Sequence, residues 1–262
     1  MFNLLAENYR RLFKGKRFYI VLAVIVGVAV LFTLLYYFLN SLMTGIPANE
    51  LEGVEVQVEN SKLYADSLLF TLKSDMPLLI GITAGMLIVQ DFRNNTIRNK
   101  IIIGHSRTNI YLCTFIVSQT VMLIYEAAYF VTAALVGGIV LGFDKFPSGD
   151  MVGQLLMTLP VQMALTSIIV FFCNTMKNIG GFVLSITMTY IVGIFSIALG
   201  LLNKFPKAQE LVGEIVPTLQ MNMILSSDGV PEHAARMIVF MIAITVVSTI
   251  SGIFLFRRSD LK

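Results

Sequence analysis

Six long apolar stretches, almost free of charge, occupy most of this chain, and few folds can accommodate them. Uncharged runs cover Phe18–Leu39, Met76–Gln90, Val152–Cys173, Ile179–Leu202 and Met237–Phe256, while a sixth, Ile110–Phe143, carries only Glu126. A helix needs about 20 apolar residues to cross roughly 30 Å of hydrocarbon, and most of these runs meet that length. The charges between them are sorted by sign. With the amino terminus taken as inside, alternate segments hold 13 of the 19 Lys and Arg against three acids, Glu7, Asp91 and Asp260. The remaining segments hold six basic residues and 12 of the 16 acids. Basic residues beside short loops resist translocation. The pattern predicts an all-α membrane protein with six transmembrane helices and both termini cytoplasmic. The expected spans are about 18–40, 75–92, 110–142, 152–174, 178–202 and 234–256, in a single transmembrane domain over residues 1–262.

A mean hydropathy of +0.79 with 13% charged residues excludes a soluble globule. The net charge of +3 is concentrated at the inner surface, where it suits anionic lipid or an acidic partner. Aromatic residues interleaved with basic ones, which single-stranded nucleic acid would require, are missing, so no nucleic-acid partner is expected. Cys113 and Cys173 fall at the inner ends of spans and form neither a disulfide framework nor a metal motif. The first apolar run follows a basic stretch like a signal peptide. It is too long for one and lacks a small-residue cleavage pattern, so it reads as a span.

Residues 1–16 read as an interfacial amphipathic helix, with Leu5, Tyr9, Leu12 and Phe13 on one face and Asn3, Glu7, Arg10, Arg11 and Lys14 elsewhere. The 41–75 segment is acidic and extracellular, with a possible strand at Val54, Val56 and Val58 and a helix over Ser61–Lys73. Met76–Gln90 alone would rise only about 22 Å, so the second span must run past Asp91 or begin before Asp75. Pro160 should kink the fourth span. Residues 203–232 read as two short outer-leaflet re-entrant helices broken at Pro217, with Pro231 in the first turn of the last span.

No phosphate-binding Gly-rich loop occurs, and neither His105 nor His233 has cysteine or carboxylate neighbours at ligand spacing. The chain is therefore expected to be no enzyme in itself: no catalytic residues, no metal, and no cofactor of its own. The distinctive loop is 91–109, which continues into Ile110 as DFRNNTIRNKIIIGHSRTNI, basic throughout with an apolar knot at Ile101–Ile103. Its pattern, an acid and a basic residue, then Thr-Ile-Arg-Asn-Lys and Gly-x-Ser-Arg-x-x-Ile-Tyr, resembles the loop between spans two and three of ABC-2 type exporter permeases. The six-span layout, the amphipathic first helix, the broken helices before span six and the closing Phe-Arg-Arg-Ser-Asp-Leu (Phe256–Leu261) are similar to that family over essentially the whole chain. One departure is that Asn94-Asn95-Thr96 stands where the family often has Glu-x-Gly-Thr. Asn tolerates the left-handed backbone that Gly would supply.

The resemblance implies the membrane subunit of a bacterial ATP-driven exporter in the plasma membrane, moving a peptide, antimicrobial, drug or lipid. ATP and magnesium would be held by a separate ATPase subunit, with a second permease copy or paralogue completing the complex. It makes 91–109 a cytoplasmic coupling loop, with Arg93, Thr96, Arg98, Lys100, Gly104, His105 and Arg107 contacting the ATPase. Ordinary positive-inside topology is the competing account of those charges. In span five, Gly181, Ser185, Thr189 and Gly193 form a small-residue strip, as do Gly81 and Gly85 in span two. The resemblance places these spans at the dimer interface and translocation path, whereas packing within one subunit explains the same strips. Glu126, the one charge inside a span, must face protein or water. It acts as a structural anchor or lines the path, with Gln119 two turns away able to bond the same partner. Two other functions stay open: an ion-coupled secondary transporter using Glu126, and a membrane immunity or binding protein using Ser41–Asp75.

Overall fold

A computed structural model describes residues 1–44, 62–200 and 206–259, and every regular element among them is helical. Helix α1 (Phe2–Lys14) meets α2 (Lys16–Thr44) at Gly15. Helix α3 (Ala65–Thr71) turns into α4 (Met76–Arg93), and α5 (Thr96–Ile102) into α6 (Arg107–Leu141). There follow α7 (Gly149–Met176), α8 (Ile179–Gly200), the short α9 (Pro206–Ile215) and α10 (Pro217–Ser226), and α11 (Ala234–Arg258). Among the described residues, five of these, α2, α4, α6, α7 and α11, are long and apolar enough to cross a membrane. Helix α8 has 22 residues, none of them charged.

Local sequence sets the boundaries. Ser106 and Ser148 precede α6 and α7, and each side-chain oxygen accepts from a backbone N–H in the first turn, Asn109 (3.3 Å) and Met151 (3.4 Å). Asn95 adopts a left-handed φ of 55° and separates α4 from α5, so the residue standing in for Gly does make that turn. Helix α4 runs through Asp91 to Arg93, which gives it 18 residues. Both α4 and α6 contain a π turn, at Gly81–Gly85 and Ala133–Gly137, within stretches of small residues. There other helices come close: a Cβ on Gly81 would lie 2.7 Å from the Phe182 ring, and one on Gly137 2.7 Å from Leu68.

Apolar side chains pack in three clusters. The largest joins α2, α3, α4 and α6 through Ile25, Leu69, Met76, Ile80, Val121 and Tyr125. A second binds α1, α5, α6, α7 and α11 through Leu4, Ile97, Tyr111, Val170 and Phe256. The third seats α10 against α7 and α11 through Val161, Met221, Ile224 and Met241. Outward faces remain greasy: Ile20, Leu31, Leu34 and Phe38 of α2, and Val239, Val247 and Ile250 of α11, are well exposed. Such belts suit a lipid surround and would be a liability in water.

Several expectations need correction. On α1, Leu12 of the expected face is buried and Leu5 and Tyr9 pack partly buried against the core, but Leu4 and Asn8 are buried as well and Phe13 is exposed. Asn8 is turned inward because a buried lysine reaches it, as described below. The helix expected over Ser61–Lys73 is shorter, Ala65–Thr71, and Asp66 in its first turn accepts from the backbone N–H of Asp144, Lys145 and Phe146. Pro231 precedes α11, which starts at Ala234. The strand expected around Val54–Val58 lies outside the described residues.

A methyl group on Gly181 would sit 2.5 Å from the backbone carbonyl oxygen of Phe172 in α7, an atom that cannot yield easily. Gly181→Ala should therefore destabilise by about 1–3 kcal/mol, the usual range for overpacking. Gly27→Ala in α2, where nothing lies within 4 Å, should be neutral or slightly stabilising. Thermal unfolding of the two variants in detergent, against the parent, checks the contrast.

Candidate functional site

Glu126 projects from the middle of α6, and Lys73, from the turn after α3, comes in to meet it as a buried ion pair. Each side chain is only 4% exposed. An unpaired carboxylate in a low-dielectric interior is costly enough that a counter-charge is close to obligatory. Neighbouring polar side chains hold Lys73 in place. Gln162 of α7 donates to the Lys73 carbonyl (2.6 Å). Tyr129, one turn beyond Glu126, donates to the Leu68 carbonyl (2.6 Å) and accepts from the Leu72 N–H (3.3 Å), which closes the end of α3. Tyr125 donates to the Phe18 carbonyl (3.1 Å) and pairs with Thr83 Oγ1 (2.7 Å), joining α6 to α2 and α4. Gln119 does not share a partner with Glu126; it donates to the Met163 carbonyl (3.2 Å). Beside the pair lies a cavity of about 310 Å³, apolar except for Lys73 and Glu126.

The second candidate region is the basic segment between α4 and α6. Its basic residues divide into buried and exposed groups. Asp91 is buried and pairs with Arg11 of α1 and with Lys100 (3.3 Å), and Lys100 also donates to Asn8 (2.9 Å). Arg107 reaches the carbonyls of Arg257 (2.8 Å) and Ser259 (2.7 Å) at the end of α11. Lys100 and Arg107, both expected to contact a partner, also bond within their own chain, the first to a buried acid and the second to the free carbonyls of a helix end. Arg93 and Arg98 are exposed, and Thr96 and His105 are half-buried. Helix α5 turns Ile97 and Lys100 inward, leaving Ile102 and Ile103, 74% and 77% exposed, at the tip beside Gly104 (φ 99°). Through these bonds the first helix, this segment and the end of α11 gather at one end of the bundle.

The small-residue strips meet partners in the same chain. Gly81 and Gly85 face Phe182 of α8, Gly85 also faces Cys173 of α7, and Gly181 backs onto Phe172. Ser185 is buried and bonds the Phe182 carbonyl, and Thr189 bonds the Ser185 carbonyl. Gly193 continues α8. At the opposite end of the bundle, Glu210 and Glu214 of α9 approach His233, whose Nε2 lies 3.1 Å from Glu210. The sequence separation hides this grouping, and His233 does have carboxylate neighbours. Their ligand atoms lie within 4.8 Å of one another, but Arg236, paired with both carboxylates, already supplies the positive charge they require.

Sequence reasoning missed Lys73, Asp91, Arg11 and Asn8. A signal for Lys73 was present: a lone acid inside a span calls for a base, and Lys73 sits three residues before the second apolar run, on the side poor in basic residues. The Asp91 network offered no comparable cue, because its members lie on three separate elements.

A family model described as ABC-2 family transporter protein matches residues 12–196, well over half the chain. The match takes in α2, the Lys73–Glu126 pair, the basic segment and most of α8. No curated protein matches the chain.

Lys73→Met should strand the Glu126 carboxylate and destabilise the protein by about 3–5 kcal/mol, whereas Lys73→Met combined with Glu126→Met should recover most of the loss. Unfolding of the single and double variants in detergent measures the coupling. A single-variant loss that the second substitution leaves untouched would deny the pair its structural role.

Proposed function

The chain belongs to the ABC-2 family of transporter proteins, and from that premise we propose that it is the permease subunit of an ATP-driven exporter. Permeases of this family are membrane components that work with a separate ATP-binding subunit. In this reading the basic end of the bundle is cytoplasmic, α8 is the fifth of six spans, and two permease copies or a paralogue pair with two ATPases. Helix α5 is the coupling helix. What supports this is the exposed tip of that helix: Ile102 and Ile103 stand in the open with Arg93 and Arg98 beside them. Apolar residues ringed by exposed basic ones are costly in solvent and suit an acidic-rimmed groove on a partner.

The docking set then narrows to Arg93, Arg98, Ile102, Ile103 and Gly104, with Thr96 and His105 at its edge. Lys100 and Arg107 act one step back, tying the docked helix to α1, α4 and α11. ATP and magnesium belong to the partner, and the transported molecule is an amphipathic or hydrophobic peptide, drug or lipid that leaves the cell across the plasma membrane. The Lys73 pair gives Glu126 a structural role that requires no proton coupling. About half of the segment on which a binding or immunity role would rest lies outside the described residues.

The test is affinity purification in mild detergent from native membranes. An ATPase with phosphate-loop motifs should come with the parent chain in equal amount. Arg93→Glu with Arg98→Glu should remove it by about tenfold or more, since reversing rim charges sets like charges against a partner, while the yield of folded permease stays unchanged. An ATPase retained at full stoichiometry would overturn the docking assignment, and its absence from the parent would overturn the exporter reading.

A further inference from the structure

The cavity beside the Lys73–Glu126 pair has chemistry that neither the fold nor the proposed coupling uses. Its walls are Leu123, Phe130 and Phe146 on one side and Val152, Leu155 and Leu156 on the other, between α6 and the first turns of α7. Leu123 and Leu156 are half exposed or more, so the cavity opens sideways, where the bilayer would lie, at the end of the bundle remote from α5. At about 310 Å³ it falls at the lower end of small-molecule sites. A second observation comes from its floor. Glu126 Oε1 is buried and has no hydrogen-bond partner, although Oε2 of the same carboxylate is held by Lys73. A buried charged acceptor left unmade is expensive.

We propose that this cavity is a lateral binding site for a neutral membrane lipid, an acyl chain carrying a hydroxyl close to its head, of the diacylglycerol type. The apolar walls take the hydrocarbon, and the hydroxyl donates to Glu126 Oε1. Charge selects the class. Lys73 and Glu126 already neutralise each other, so an ammonium or phosphate head brought to the floor would add a net charge in a medium that screens little. A hydroxyl satisfies the acceptor and adds none. Phosphatidylcholine has the chains but no donor. The site requires only that these helices stand in a bilayer, so it does not depend on the ATPase or on the direction of transport.

Photolabelling tests it on the full-length protein in nanodiscs. A diazirine-tailed diacylglycerol and a phosphatidylcholine with the same tail are compared, and labelled peptides are mapped by mass spectrometry. The diacylglycerol should label 123–130 and 152–159 about tenfold more than the phosphatidylcholine, the size of one hydrogen bond to a charged acceptor. Leu156→Trp, at an exposed rim position that tolerates bulk, should fill the cavity and abolish the difference. Lys73→Met with Glu126→Met, which removes the acceptor and leaves no charge stranded, should bring the two probes to equal labelling. Equal labelling of the parent by both probes would reduce the cavity to an unselective groove and overturn the proposal, as would absence of label from these peptides. Loss of the ATPase partner in the preceding experiment with lipid selectivity intact would separate failure of the exporter reading from failure of this one.

Discussion

The pairing of Glu126 with Lys73 organises the upper half of the bundle, because a carboxylate in the middle of a helix surrounded by apolar side chains has few stable alternatives. Lys73 can reach it only if α3 folds down against α6. That requirement places Ala65 and Leu68 against Gly137, where the absence of a side chain lets them approach. It also explains why Tyr129 and Gln162 spend their hydrogen bonds on the backbone around Lys73 and not on the ions themselves. These bonds satisfy backbone groups that a tight turn between two helices would otherwise leave bare in a dry interior. A buried ion pair seldom adds much net stability. Here its role is positional: it decides which segment closes the top of α4 and α6.

A different economy governs the basic end. Asp91 draws Arg11 and Lys100 to itself, and the carbonyls ending α11 draw Arg107, so part of the positive charge at this end holds the chain together. What remains exposed is Arg98 and Ile102 on the seven-residue α5, with Arg93 at the end of α4 and Ile103 just past the helix. Topology and docking are thus compatible uses of one basic segment, divided residue by residue according to burial.

The helices were legible in the sequence because hydrocarbon imposes a length and a polarity that composition alone reveals. The turn at Asn95 was legible for a local reason, the tolerance of Asn for left-handed backbone. Pairings across elements were not. Lys73 lies 53 residues from Glu126, and Lys100 lies 92 from Asn8, with no periodicity linking them. The small-residue strips show the other limit. Sequence says that Gly81, Gly85 and Gly181 permit close approach but not who approaches, and in this chain it is Phe182 and the α7 backbone. Asn8 of α1 joins the buried side because an ion network, invisible in an apolar periodicity, draws it in.

The contact of Arg107 with the end of α11 has a mechanical consequence. Arg107 is the first residue of α6 and lies five positions beyond α5, so the last helix of the chain is fastened to the base of the third long one at the point where a docked partner would press. In the proposed docking, a displacement of α5 would pass along two routes, one into α4 by way of Lys100 and Asp91 and the other into α6 and α11 through Arg107. That end of the bundle is harnessed like a yoke, with the short helix tied to both arms.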